Sequence, residues 1–226
     1  MPDVDFRSAA TRPEYKDEVA QLVSLGINCE LGLIQRHCEV EPLGLFRFGL
    51  TPLGGLIQAL ECKFNGLGDA SQIDIEEGFG REYIATHRRY GFEFHTLMNA
   101  AETTRQNVLT TVVRHYPFLA QMLLHELSEG KKLFVYRPET PDEPVDRAHH
   151  LLGAMRRVGP ATLLWVTAVD DPAVVGTTHW VVRDQLMVGH LDRYGPLHFA
   201  AGLSFEPWLQ VCLAALRLRA TDWRGP

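Results

Sequence analysis

Only four cysteines occur in the 226 residues: Cys29, Cys38, Cys62 and Cys212. Their wide spacing excludes a disulfide framework, and without a CxxC pair a cysteine zinc site is disfavoured. Positive charge is also short. Against 28 acidic residues stand 22 Lys and Arg, for a net charge of −6. Nucleic-acid binding needs a surplus of cations to neutralise phosphates, so it is excluded as the main activity. No apolar run reaches the ~20 residues that span a bilayer. The longest runs, such as residues 161–168, have the length of a strand. The opening Met1-Pro2-Asp3-Val4-Asp5 is acidic and polar, unlike a secretory signal. Together these absences fit a cytoplasmic protein with reduced thiols.

Motifs for the commoner chemistries are missing as well. The chain holds no GxxxxGK[ST] loop, no GxGxxG turn, no HExxH helix and no GxSxG elbow. Nucleotide hydrolysis, dehydrogenation and zinc proteolysis lose weight accordingly. No cofactor and no metal are expected. A small-molecule substrate is expected, or one linked to a peptide or glycan. Nothing in the chain specifies an oligomeric state.

What is present is enough apolar side chain for a core, 46% of residues, with strand and helix patterns alternating. Residues 1–18 are charged and weakly patterned and read as a flexible N-terminal arm. Residues 19–226 read as one α/β domain. The run from Val19 to Gly26 predicts a buried strand closed by a glycine turn, and Cys29 to Cys38 predicts a short helix with Asn28 as its cap. Thr51-Pro52 opens a second helix. The alternating pairs Ile73/Ile75, Tyr83/Ile84 and Phe92/Phe94 predict short strands or hairpins. A long helix follows over Glu102–Leu127, with a bend expected at Pro117. Then come a strand at Lys132–Arg137, a helix at Val145–Val158 and a strand at Thr162–Thr167. Short strands are expected around Trp180–Val182 and Leu186–Leu191, and a last helix after Ser204. This order predicts a layered α/β domain with a mostly parallel central sheet and a small antiparallel insertion.

Cys29 is the first candidate for chemistry. It follows a strand and a glycine turn and enters a helix, where unpaired N–H groups and the helix dipole are expected to lower its pKa. Those amides, with Asn28, Gly26 and Ser24 in support, are placed to stabilise an oxyanion. The other reading of Cys29 is a small buried hydrophobe. Cys38, Cys62 and Cys212 lie on apolar helical faces and read as core. A nucleophilic thiol needs a base. His95 ends an aromatic-rich strand. His190 lies two residues from Asp192, which alternation places on the same face, as a base with its orienting carboxylate or as a plain surface cluster. Arg47, between Phe46 and Phe48, is either stacked structurally or a ligand for an anionic group, and Arg88 is a second guanidinium for the same cleft.

The run Val23-Ser24-Leu25-Gly26-Ile27-Asn28-Cys29-Glu30-Leu31-Gly32-Leu33 resembles the opening motif of a bacterial family of uncharacterised proteins described as papain-like cysteine peptidases. Similar blocks follow at 41–48, 88–95, 132–137 and 162–167, with Leu45-Phe46-Arg47-Phe48 where other branches carry proline-phenylalanine-aspartate-tryptophan. The resemblance implies a thiol hydrolase with Cys29 as nucleophile and His95 as base, and a papain-like α+β architecture as the alternative fold. A reading from another class is a non-catalytic accessory module, in which Arg47 and Arg88 bind an anionic group such as part of a glycan precursor.

Overall fold

Leu133-Phe134-Val135-Tyr136 is buried at every position, as expected of a strand covered on both faces. It forms β6, an interior strand of the larger sheet in a computed structural model that describes residues 11–27, 29–195 and 202–222. Its neighbours are β1 (Leu22–Ser24) and β7 (Thr162–Ala168), and both pairings are parallel, with Ser24 opposite Val135 and Val135 opposite Leu164. β9 (Leu186–Leu191) continues the parallel set, and β8 (Thr178–Val182) closes it as an antiparallel edge. The order is therefore β1-β6-β7-β9-β8.

Alternation along these strands builds two cores. One face presents Leu22, Leu133, Val135, Leu164 and Met187 to α2 (Glu30–His37) and α6 (Phe205–Asp222), through Leu31, Ile34, Trp208 and Cys212. The other presents Val23, Phe134, Tyr136, Leu163 and Trp165 to α3 (Leu53–Glu61), α4 (Arg105–Glu129) and α5 (Asp146–Arg156). The helix after β1 thus lies on one face and the helix after β6 on the other. Adjacent parallel strands whose connections part in this way leave a crevice at their carboxyl ends, the usual ligand position in such sheets.

The second sheet is antiparallel, in the order β2 (Gly49–Leu50), β5 (Phe92–Asn99), β4 (Glu82–His87), β3 (Ile73–Glu77). Its buried rings Phe92 and Phe94 lie 5.0–6.0 Å from one another and from Phe46, in the turn before β2, and all three belong to the same core as Phe134 and Trp165. The mostly parallel sheet with a small antiparallel piece is the architecture the residue pattern predicts. Leu133–Tyr136 is no part of an antiparallel barrel, so the papain-like arrangement is not adopted.

Some boundaries move. The strand read over Val19–Gly26 is only Leu22–Ser24, because Lys16–Val19 close a helical turn, α1. Short apolar runs carry no period that separates helix from strand. Of the arm read over 1–18, residues 1–10 lie outside the described residues, and Pro13–Tyr15 form a 3₁₀ turn leading into α1. α4 runs unbroken through Pro117, from a Thr104 cap to Gly130 in the left-handed conformation. No helix among the described residues is long and apolar enough to cross a membrane.

Candidate functional site

The turn from β1 into α2 is tightly constrained. Leu25 N–H donates to Val135 O at 2.9 Å, the last rung of the ladder. Gly26 and Ile27 then both take positive φ, 94° and 80°. Gly26 is required twice over: that φ suits glycine, and a Cβ there would sit 1.9 Å from Thr51 Oγ1. Ile27 is fully buried and β-branched, for which such a φ is a real outlier. Strain of this kind concentrates at functional turns. Ser24 Oγ fastens the turn, accepting from Gly26 N–H at 3.2 Å and donating to Phe46 O at 3.0 Å. Asn28 lies outside the described residues.

Cys29 occupies the capping position of α2, and its carbonyl accepts from Leu33 N–H at 2.9 Å. The thiol is not activated as its place at a helix start suggests. Burial pushes it up to about 11, the carboxylates of Glu82 and Glu30 push the same way, and only Arg36 opposes them. Desolvation and two negative charges outweigh the helix end, so the resting group at neutral pH is the protonated thiol.

Glu82 is the residue the sequence reading missed. It opens β4, and its Oε2 is 3.0 Å from His95 Nδ1 on β5, with both side chains about three-quarters enclosed. A carboxylate only accepts, so Nδ1 carries a proton, and in the neutral ring the lone pair is on Nε2. The other oxygen, Oε1, accepts Leu97 N–H at 2.8 Å. Pairing is regular from His87–Phe92 to Ile84–His95, and the next pair is Glu82–Asn99. Tyr83 alone therefore faces Thr96, Leu97 and Met98, a bulge with two extra residues immediately beyond His95. His95 N–H donates to Phe48 O at 3.0 Å. The Phe48 ring in turn packs against Gly32 of α2, where a Cβ would lie 2.7 Å from its Cε1. The helix headed by Cys29 and the strand bearing His95 are joined through Arg47-Phe48.

The other candidates lie in different surroundings. The Arg47 guanidinium is buried, paired with Glu41, bonded to Val40 O at 3.2 Å and stacked 4.7 Å from the Phe48 ring. It braces the loop between α2 and β2. Arg88 pairs with Asp74 at 2.7 Å and also donates to Ser71 O. It lies at the end of β4 opposite Glu82, about 20 Å away at ~3.3 Å per residue. His190 Nδ1 meets Thr177 Oγ1 at 3.4 Å and its ring lies 5.3 Å from His179, with burial and then His179 lowering its pKa. Asp192 bonds to Ser204 Oγ and, at 2.9 Å, to Arg193. The structure pairs His95 with Glu82 and gives His190 and Asp192 separate partners.

One further cluster fills the crevice. Glu30, next to Cys29, lies 2.7 Å from Arg137 Nε beyond β6, and its Oε1 accepts Gly195 N–H at 2.7 Å. The Tyr194 ring covers the guanidinium at 4.1 Å. This buried pair ties the Cys29 turn to the neighbouring strand and to the chain that follows β9. Cys38 and Cys212 are buried in the core and Cys62 is half-buried. Among the described residues no three His, Cys, Asp or Glu side chains are grouped to hold a metal. No family model matches the chain, and neither does any curated protein or solved structure.

Proposed function

We propose that the protein is a thiol-dependent acyl hydrolase or acyltransferase. In this reading Cys29 is the nucleophile, His95 the base and Glu82 the residue that positions the base. The observation that carries it is the double role of Glu82: the carboxylate that holds His95 Nδ1 also raises the Cys29 thiol. One carboxylate thus acts on both partners of a thiol–imidazole pair.

The chemistry follows from a protonated resting thiol. As Cys29 Sγ attacks a substrate carbonyl carbon, its proton passes to His95 Nε2 and the C=O electron pair moves onto oxygen. Amides at the start of α2 face that oxyanion. Glu82 accepts throughout from Nδ1 and stabilises the imidazolium. Collapse expels the leaving group, which takes the proton from His95, and leaves a thioester on Cys29. Water or another acceptor, deprotonated by His95, then releases the acyl group. Arg47 and Arg88 have no step here, since Glu41 and Asp74 already neutralise them.

The test is intact-mass analysis after mixing the protein with an activated thioester such as an acyl-thiophenol. The expected result is one acyl adduct located on Cys29, absent in Cys29→Ala and formed at least ~100-fold more slowly in His95→Ala. Adduct formation at the same rate in His95→Ala would overturn the pairing.

A further inference from the structure

The bulge beyond His95 ends in an unusual display. Leu97 holds φ 58°, a conformation that glycine or asparagine adopts far more readily, and 67% of it is exposed. Neither strand propensity nor burial accounts for a leucine at this position. Three hydrogen bonds hold the bulge open: Leu97 N–H to Glu82 Oε1 at 2.8 Å, Thr96 Oγ1 to Tyr83 O at 2.6 Å, and Met98 N–H to Thr96 Oγ1 at 3.2 Å. Bulges of this kind re-aim a side chain next to active sites. A second large apolar side chain, Phe79, 81% exposed, sits in the β3–β4 turn. That turn is drawn to the same end of the hairpin by Asn99 Nδ2 to Gly80 O at 3.2 Å and Ala100 N–H to Arg81 O at 2.8 Å.

We infer that Leu97 is a specificity residue that receives the aliphatic acyl group of the substrate. The acyl part rests on the thiol–imidazole reading above, whereas the apolar contact does not depend on turnover. The Glu82 carboxylate fixes both the candidate base and the backbone of Leu97, so a chain lying on Leu97 is held in register with His95. The ligand class follows from what the bulge offers. The Leu97 tip has no donor or acceptor, and its backbone N–H is already spent on Glu82, so an aliphatic group fits and a polar one gains nothing.

The experiment measures alkylation of Cys29 by N-methyl-, N-butyl- and N-hexylmaleimide at pH 8, read by peptide mass spectrometry on the full chain. Cys62 serves as internal reference for reagent hydrophobicity. The Cys29/Cys62 rate ratio is expected to rise on the order of tenfold from methyl to hexyl, the effect of burying about two of the five added methylenes at roughly fourfold each. Leu97→Gly removes the side chain while easing the backbone, and should flatten the dependence; Leu97→Met should keep it. A ratio independent of chain length in the native protein, or one unchanged by Leu97→Gly, overturns the inference. Acyl transfer is scored separately. Chain-length preference lost in Leu97→Gly, without any acyl adduct, keeps the apolar site and rejects the chemistry. An adduct on Cys29 with no effect of Leu97→Gly does the reverse.

Discussion

Glu82 Oε2 and His95 Nδ1 lie 3.0 Å apart across a hairpin whose register slips between them. The contact depends on the slip. In an unbroken ladder Glu82 would face Leu97; the bulge brings its second oxygen to the Leu97 N–H instead. Glu82→Gln keeps the shape and removes the charge. We expect acylation of Cys29 to slow by about 10²–10⁴-fold, with the protein still folded by circular dichroism. A purely structural role for Glu82 would leave the pH dependence of acylation unchanged. The proposed role shifts it toward lower pH, because the lost carboxylate no longer raises the Cys29 thiol.

Cys29 should be a slow thiol. Its alkylation by iodoacetamide is expected to be weak at pH 7 and to rise toward a midpoint near pH 11, the value to which burial and the two carboxylates push it. Glu82→Gln removes one of those charges, so the midpoint should fall. A midpoint below pH 8 in the native protein would contradict the burial described here.

The same shift has a consequence for stability. An acid whose folded pKa lies above its unfolded one is held protonated by the fold. That stability is present below the unfolded pKa, near 9, and is lost as pH rises through the folded value near 11. Cys38, raised to about 11 chiefly by burial, acts in the same window. Urea midpoints should therefore fall between pH 9 and pH 11, and the fall should be shallower in Cys29→Ala.

Gly26 admits no substitute. Gly26→Ala sets a methyl carbon 1.9 Å from Thr51 Oγ1 and 2.6 Å from Thr51 Cβ, at a φ of 94°. We expect a loss of about 2–4 kcal/mol in denaturant melts. Adding Thr51→Gly clears the clash but not the backbone strain, so it should recover part of the loss.

The Glu30–Arg137 pair is a fifth test. Both side chains are at least 95% enclosed, so removing one leaves the other charged and buried. Arg137→Met or Glu30→Gln alone should cost about 3–5 kcal/mol, and the double variant less than the sum. Additive losses would mean that the two do not act as a pair.

The sheet was legible in the sequence where side-chain pattern alone decides it. Leu133–Tyr136 and Leu163–Val166 are continuous apolar runs between helical segments, and parallel pairing follows. Cys29 and His95 stood out by position, one after a glycine turn and the other at the end of alternating rings. Glu82 did not, although a count back from the Arg88–Gly91 turn places Ile84 opposite His95 and Glu82 one same-face step beyond. What the count lacks is the bulge, whose hydrogen bonds run through side chains of Glu82 and Thr96. The rise in the Cys29 thiol was hidden for a related reason: burial and a carboxylate fifty residues away belong to the tertiary structure. Arg47 between two aromatics left two meanings open, and Glu41, six residues earlier, supplies the partner that the flanking rings do not reveal.

Among the described residues β1 is an edge strand whose one partner in the sheet, β6, arrives more than a hundred residues later. During synthesis the segment Leu22–Ser24 is complete long before Leu133 leaves the ribosome, while the antiparallel hairpins and α4 can already pack against one another. Contacts of such long sequence separation close late and slowly. The Cys29 turn, which is anchored by Leu25 to β6, is therefore among the last parts of the molecule to take shape. A chain truncated before residue 133 would carry the thiol without the site.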